Sequence, residues 1–399
     1  MKKVYLDYNA TTPVRKEVLE EMLPYFSEKF GNPSSLHRFG QETRKVIEDV
    51  RKKIADFLNA DPLEIYFTSG GTESNNLAIK GVVFESKFEK PHVITTKIEH
   101  HAVLEVCKWL EERNFIELTL LDVDKFGMVN PDDVIKNIKE NTVLVSIMHA
   151  NNEVGTIQPL KEIGEKLQIV NSERIKKGVP EVYFHTDAVQ TVGKIDIDVN
   201  KLKLHLLSLS AHKFYGPKGI GAIYIRKGTR ITSLIQGGHH EREIRAGTEN
   251  LPGIVGLGKA IEVAKEKMYE EEERVKKLRD KLKSLITENI SDVLILGHPE
   301  KTLPNTLSVL FKYVEGEAVV LQLDMEGIAT SSGSACSSGS GEPSHVLRAM
   351  NVPQDLIRGA VRFSLGKDNT EDDIIYTFEK LKDVIKKLRD ISPLYKKNV

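Results

Sequence analysis

Residues 208–221 read "SLSAHKFYGPKGIG", and the fold turns on how this stretch is read. An apolar run, "HLLSLS" (205–210), ends in a cluster of small and polar residues that contains Lys213. The Pro-Lys-Gly turn of "YGPKG" follows, and "GAIYIRKG" (221–228) resumes the β-branched and aromatic pattern of a strand. A lysine between an apolar strand and a tight turn is placed against its usual preference for the surface. Desolvation lowers the pKa of such an amine, and the neutral form can condense with a carbonyl.

Outward from this point, helical and strand patterns alternate. "RKEVLEEMLPYF" (15–26) and "GQETRKVIEDVRKKIADFL" (40–58) carry the three-four apolar spacing of surface helices. "EIYFT" (64–68), "HVITT" (92–96), "VLVSIMH" (143–149) and "VYFHTD" (182–187) are short strand-like runs. Alternation of this kind predicts an α/β fold with a largely parallel sheet. Residues 258–286 form one long charged amphipathic pattern, read as a helix bridging two domains. Beyond it come "TLSVLFKYV" (306–314), "AVRFSLG" (360–366) and a last helix, "TEDDIIYTFEKLKDVIKKLRD" (370–390). The expected division is a large domain over 15–254 and a smaller α+β domain from 1–14 and 255–399.

Composition narrows the function. The 399 residues carry 57 Lys+Arg against 58 Asp+Glu, a net charge of −1, which argues against nucleic acid or an anionic membrane as partner. No run approaches the ~20 apolar residues of a membrane span, and the N-terminus lacks a signal-peptide pattern. Two cysteines, Cys107 and Cys336, make no disulfide framework and no zinc motif. The expectation is a cytoplasmic protein.

In α/β sheets ligands gather where strands end. "IYFTSGGTESNNLAI" (65–79) offers Gly70, Gly71 and Thr72 at a strand-to-helix turn that reads equally as a phosphate cradle or an ordinary capped turn. His100 and His101 lie at another such junction, where a histidine is commonly only a cap. Asn151, Asn152 and Glu153 end a third strand, Asp187 and Gln190 a fourth, and Ser210, His212 and Lys213 a fifth. A lysine for a Schiff base and an aspartate for a protonated pyridine nitrogen are what pyridoxal phosphate (PLP) requires as an electron sink. Cys107, at helical spacing with Val103, Val106 and Leu110, reads as core packing. Cys336 is different. It stands in "SSGSACSSGSG" (331–341), among serines and glycines with no bulky neighbour, which reads either as an incidental linker cysteine or as a reactive thiol on a mobile loop.

Assembled, these motifs resemble the cysteine desulfurases of the NifS/IscS family, class V aminotransferases of PLP fold type I. The resemblance runs nearly end to end, through "YLDYNATTP" (5–13), "FGNPSSLH" (30–37), "EHHAVL" (99–104), "MHANNEVGT" (148–156), "HTDAVQTVGK" (185–194), "GGHHEREIRAGTEN" (237–250), "SSGSACSSGSGEPSHVLRAM" (331–350) and "LRDISPL" (388–394). It implies that Lys213 bonds the cofactor and Asp187 pairs with its ring nitrogen. Gln190 and Asn152 would contact its phenolic oxygen, and His100 would stack on the ring and move protons. Gly71, Thr72, Ser210 and His212 would bind the phosphate, completed by Thr248 of a partner subunit in a homodimer. Arg362, helped by Asn32, would clamp the substrate carboxylate. Cys336 would take sulfur from L-cysteine as a persulfide, leaving L-alanine, and deliver it to an iron–sulfur scaffold or another acceptor protein. No resident metal is implied, Cys336 being at most a transient ligand to an iron–sulfur cluster. The competing readings are a selenocysteine lyase, another class V aminotransferase, or an inactive scaffold. The mobile thiol weighs against an aminotransferase, and the presence of Lys213, Asp187 and Cys336 against a scaffold. Tyr8 departs from the pattern where asparagine is common, and Gly341 where leucine is common.

Overall fold

The structure, a computed structural model, describes residues 2–332 and 343–396. Its strands in chain order are β1 (Val4–Tyr5), β2 (Ile65–Thr68), β3 (His92–Thr96), β4 (Glu117–Leu121), β5 (Thr142–Ser146), β6 (Tyr183–Asp187) and β7 (Leu206–Ser210). There follow β8 (Gly221–Ile225), β9 (Val293–Leu296), β10 (Thr306–Phe311), β11 (Ile328–Ala329), β12 (Ser331–Ser332) and β13 (Ala360–Ser364). A seven-stranded sheet takes the order β2-β8-β7-β6-β5-β3-β4. β8 alone runs against its neighbours; β7, β6, β5, β3 and β4 pair in parallel.

Parallel strands need crossovers, and the chain supplies them as helices whose apolar residues cover both faces. Helix Gly71–Glu85 buries Leu77, Ile79 and Val82 on one side, while Arg38–Leu58 buries Ile47, Ile54 and Leu58 in the larger core on the other. With both faces covered, β3, β5, β7 and β8 are buried at every position. This explains why they read as continuous apolar runs rather than as alternating ones.

The 39-residue helix Leu251–Asn289 is longer than its charged pattern predicts. It begins at Asn250, whose Oδ1 accepts from the Gly253 N–H at 3.2 Å. Its first turns pack Leu251, Ile254 and Leu257 into the large core, and its far half packs Val275, Leu282 and Ile286 against a second cluster. That second cluster lies on a four-stranded antiparallel sheet, β12-β13-β10-β9. The chain start joins it too: β1 pairs with β11, and Asp7 bridges to Ser364. From there residues 9–12 run back to the large sheet, where the Thr12 N–H donates to the His212 carbonyl at 3.0 Å.

Candidate active site

Five strands of the large sheet end on one edge, and their following residues enclose a cavity of about 230 Å³. Thr68 leads through Gly70 into helix Gly71–Glu85. Gly70 has φ +151° and ψ −175°, a region essentially restricted to glycine. A Cβ on Gly71 would come within 2.6 Å of the Val189 side chain. The helix N-terminus lies at the cavity, with Gly71 and Thr72 in its lining beside Ser210 and His212, a setting that suits an anion. His212 Nδ1 lies 3.1 Å from Thr11 Oγ1, and burial followed by the Lys213 charge holds its pKa down to about 4. Its ring is neutral at physiological pH.

Asp187 ends β6, 6% exposed. Its Oδ2 accepts from Asn75 Nδ2 at 2.7 Å and its Oδ1 from the Val189 N–H at 3.0 Å. Both bonds fix the orientation of a carboxylate held in the cavity wall. His100 caps helix His101–Glu112: its Nδ1 accepts from the Ala102 N–H at 3.1 Å, so the neutral ring carries its proton on Nε2. Burial keeps this imidazole below its ordinary range, against the pull of Asp187. Lys213 Nζ donates to the main-chain carbonyls of Asn9 (2.6 Å) and Ala10 (2.8 Å). Gln190 Nε2 shares the Asn9 carbonyl at 3.0 Å, and its Oε1 accepts from Lys194 Nζ at 3.0 Å.

The donor set fits PLP. A helix N-terminus, a buried carboxylate, a reachable lysine and a neutral histidine line one cavity, and the buried Asn75 Oδ1 in its wall has no partner among the described residues.

Arg362 comes from β13 of the other sheet. Its Nη1 donates to the Asn152 carbonyl at 2.9 Å and its Nη2 to Asp7 Oδ1 at 2.8 Å, while its buried Nε has no partner among the described residues. Ser331 of β12 is registered opposite Arg362. Cys336 lies outside the described residues. On the far side of its segment Ser344 Oγ donates to Glu153 Oε2 at 2.6 Å, and His345 Nε2 meets the Glu99 carbonyl at 2.9 Å. The described ends of the cysteine segment thus flank the cavity, one beside Arg362 and the other beside Asn152 and His100.

A family profile, aminotransferase class-V, matches residues 4–376. The chain belongs to the aminotransferase class-V family. Among curated proteins it is 55% identical over 392 residues to cysteine desulfurase IscS of Dictyoglomus turgidum, covering 98% of this chain and 97% of that one. It is 53% identical over 393 residues to cysteine desulfurase IscS of Methanosarcina thermophila, covering 98% and 94%. Among solved structures a NifS-like protein superposes with TM-score 0.89 at 42% identity, covering 96% of this chain and 100% of that chain. SspA in complex with cysteine superposes with TM-score 0.80 at 38% identity, covering 91% and 99%.

For this class V member the cavity gathers Gly71, Thr72, His100, Asn152, Asp187, Gln190, Ser210, His212 and Lys213, as the sequence reading grouped them. Arg362 touches the wall through Asn152. Two named residues stand elsewhere within this chain. Asn32 is exposed, its Oδ1 accepting from the Ser34 N–H at 2.9 Å. Thr248 is exposed beside a separate cavity of about 180 Å³. Its loop is pinned by a buried pair, Arg51 Nη1 and Nη2 each 2.9 Å from the Glu241 carboxylate. Sequence reading missed Asn75 and Asn9, and it placed Glu153 at a strand end without a role. Asn75 lies four residues past Gly71, one helical turn into the helix, which was the available signal.

Proposed function

We infer that this chain is a PLP-dependent cysteine desulfurase, converting L-cysteine to L-alanine and passing the sulfur to an enzyme cysteine as a persulfide. When bound, the cofactor supplies an electron sink for charge developing at the substrate α-carbon. The chain's own groups do the rest. Asp187, fixed by Asn75 and the Val189 N–H, offers a buried carboxylate to a protonated ring nitrogen. The helix that starts at Gly71, with Thr72, Ser210 and His212, holds the phosphate. Lys213 would bear the covalent linkage and, once released as the neutral amine, would take the substrate's α-proton. His100 presents its Nε2–H to the cavity as a proton donor. Gln190 and Asn152 hold the phenolic oxygen, and Arg362 holds the substrate carboxylate. The Cys336 thiolate then forms an S–S bond to the substrate sulfur as the substrate C–S bond breaks.

One observation carries this reading over a plain aminotransferase. The described ends of the cysteine segment stand at Ser331, registered opposite Arg362, and at Ser344, bonded to Glu153 beside the cavity residue Asn152. The colour of bound PLP, bleached by borohydride with reduction onto the Lys213 peptide, tests the cofactor assignment. Production of alanine from cysteine at a rate well above that from an amino acid lacking sulfur tests the reaction; comparison with selenocysteine tests the alternative substrate.

The sulfur acceptors are an iron–sulfur scaffold or another acceptor protein, met in the cytoplasm. Among the described residues no helix is long and apolar enough to cross a membrane. A separate apolar cluster on the small sheet supports a smaller unit from 1–14 and 255–399 beside a large one over 15–254, joined through helix Leu251–Asn289. The working form is a homodimer. Leu19, Leu23, Phe26, Phe30, Leu36 and Phe39 are all exposed, Leu36 to 92%, an apolar concentration suited to a second copy. In that dimer Thr248, exposed here, reaches the neighbour's phosphate site. Sedimentation at decreasing concentration, with PLP retention followed alongside, tests the dimer.

A further inference from the structure

Asn9 is 1% exposed, and every polar group it owns is engaged. Its N–H donates to Ser364 Oγ at 2.9 Å. Its Nδ2 donates to Thr306 Oγ1 at 2.9 Å and to the Asn152 carbonyl at 3.2 Å, and its Oδ1 accepts from Asn305 Nδ2 at 2.9 Å. The outcome of this bracing is the placement of one carbonyl. Asn9 O receives Lys213 Nζ and Gln190 Nε2 together, with Ala10 O as the second acceptor for the lysine. Bonds from an ammonium to carbonyl oxygens are charge-assisted.

We propose that the carbonyls of Asn9 and Ala10 form a resting site for the Lys213 amine whenever it is not bonded to the cofactor, with Asn9 as the positioning residue. The proposal rests on Lys213 being the cofactor lysine. In each turnover the substrate amine takes over the cofactor carbon: one C=N bond forms as the lysine's C=N bond breaks. Two N–H protons leave the substrate nitrogen and two arrive on Nζ, with no oxidation. Once the freed amine has taken the α-proton it is an ammonium, and the carbonyl pair accepts its N–H groups. Gln190 holds the same carbonyl, so the lysine returns to an oxygen whose place does not depend on it. The Asn152 carbonyl, shared by Asn9 Nδ2 and Arg362 Nη1, ties this resting site to the carboxylate clamp.

The test uses the full chain stripped of PLP and reads the amine directly. Acetic anhydride acylates only neutral amines, so the acetylation rate of Lys213, measured by peptide mass relative to exposed Lys218, reports how firmly the ammonium is held. Asn9→Ala, which keeps the carbonyl and removes its side-chain braces, should raise that ratio about fivefold, the scale of one ordinary hydrogen bond. Thr306→Val, which keeps side-chain shape and removes one brace, should raise it by a smaller factor and serves if the alanine variant fails to fold. An unchanged ratio in folded variants overturns the proposal. Borohydride reduction of the PLP-loaded wild type separates the two ideas: cofactor fixed on a residue other than Lys213 would refute the cofactor assignment, whatever the acetylation shows.

Discussion

Glu153 lends itself to a quantitative test, because replacing it by glutamine separates its charge from its shape. Its carboxyl is fully enclosed, and burial pushes its pKa from the ordinary 4.5 to about 7 against the Ser344 hydrogen bond and the Arg362 charge. The folded chain therefore binds this proton more tightly than the unfolded chain does. Its contribution to stability is complete below pH 4.5 and is lost as pH rises through about 7. A displacement from 4.5 to about 7 corresponds to about 3 kcal/mol. Glu153→Gln keeps an oxygen to accept from Ser344 Oγ and removes the ionisation. The variant should match the wild type near pH 4.5 and exceed it by up to about 3 kcal/mol above pH 7. Urea unfolding of both proteins at pH 5 and pH 8 reads the difference. A gap that stays constant between the two pH values, or a variant that is weaker at pH 8, would refute the argument that burial dominates at this site.

Lys213→Ala should fold and retain PLP weakly through the phosphate contacts, with no borohydride-reducible link to the protein; normal turnover would rule out the assignment. Cys107 is fully buried, and burial pushes its thiol far up, so Cys107→Ala should keep full desulfurase activity and lose about 1–2 kcal/mol of stability, checked by turnover and unfolding. Mixed dimers of a Lys213→Ala subunit with a Thr248→Ala subunit should retain about half of wild-type activity, since one composite site carries both lesions and the other neither. Loss of all activity in the mixed dimer would contradict a shared phosphate site.

The parts of this molecule that could be read from sequence are those in which local pattern and burial agree. "HLLSLS" and "GAIYIRKG" became β7 and β8 because both faces of those strands are covered. β4 went unread: "ELTLL" is an edge strand, only partly buried at four of its five positions, and carries no clear apolar run. β9, at the edge of the small sheet, is similar. The loop "GGHHEREIRAGTEN" looks wholly solvent-exposed, yet Glu241 is 6% exposed and bonded to Arg51. Nothing local announces a partner nearly two hundred residues away. The same holds for the site. Lys213 and Asp187 stand out by residue type at strand ends. Asn9 and Asn75 act through geometry alone, on groups brought near only by the completed fold. The reversal of β8 was equally invisible, because a strand's pattern does not record its direction.

The central claim is that the chain moves sulfur from cysteine onto its own Cys336, and one experiment addresses it directly. The PLP-loaded enzyme is given a single equivalent of L-cysteine without reductant, quenched, and digested, with alanine quantified in the same sample. The account predicts one alanine per site and a matching sulfur-sized mass gain on the Cys336 peptide, with none on the Cys107 peptide. It predicts neither product from the Cys336→Ser variant, which should still perturb the PLP absorption on adding cysteine. Alanine formed at the wild-type rate by Cys336→Ser, or sulfur found on Cys107, would contradict it.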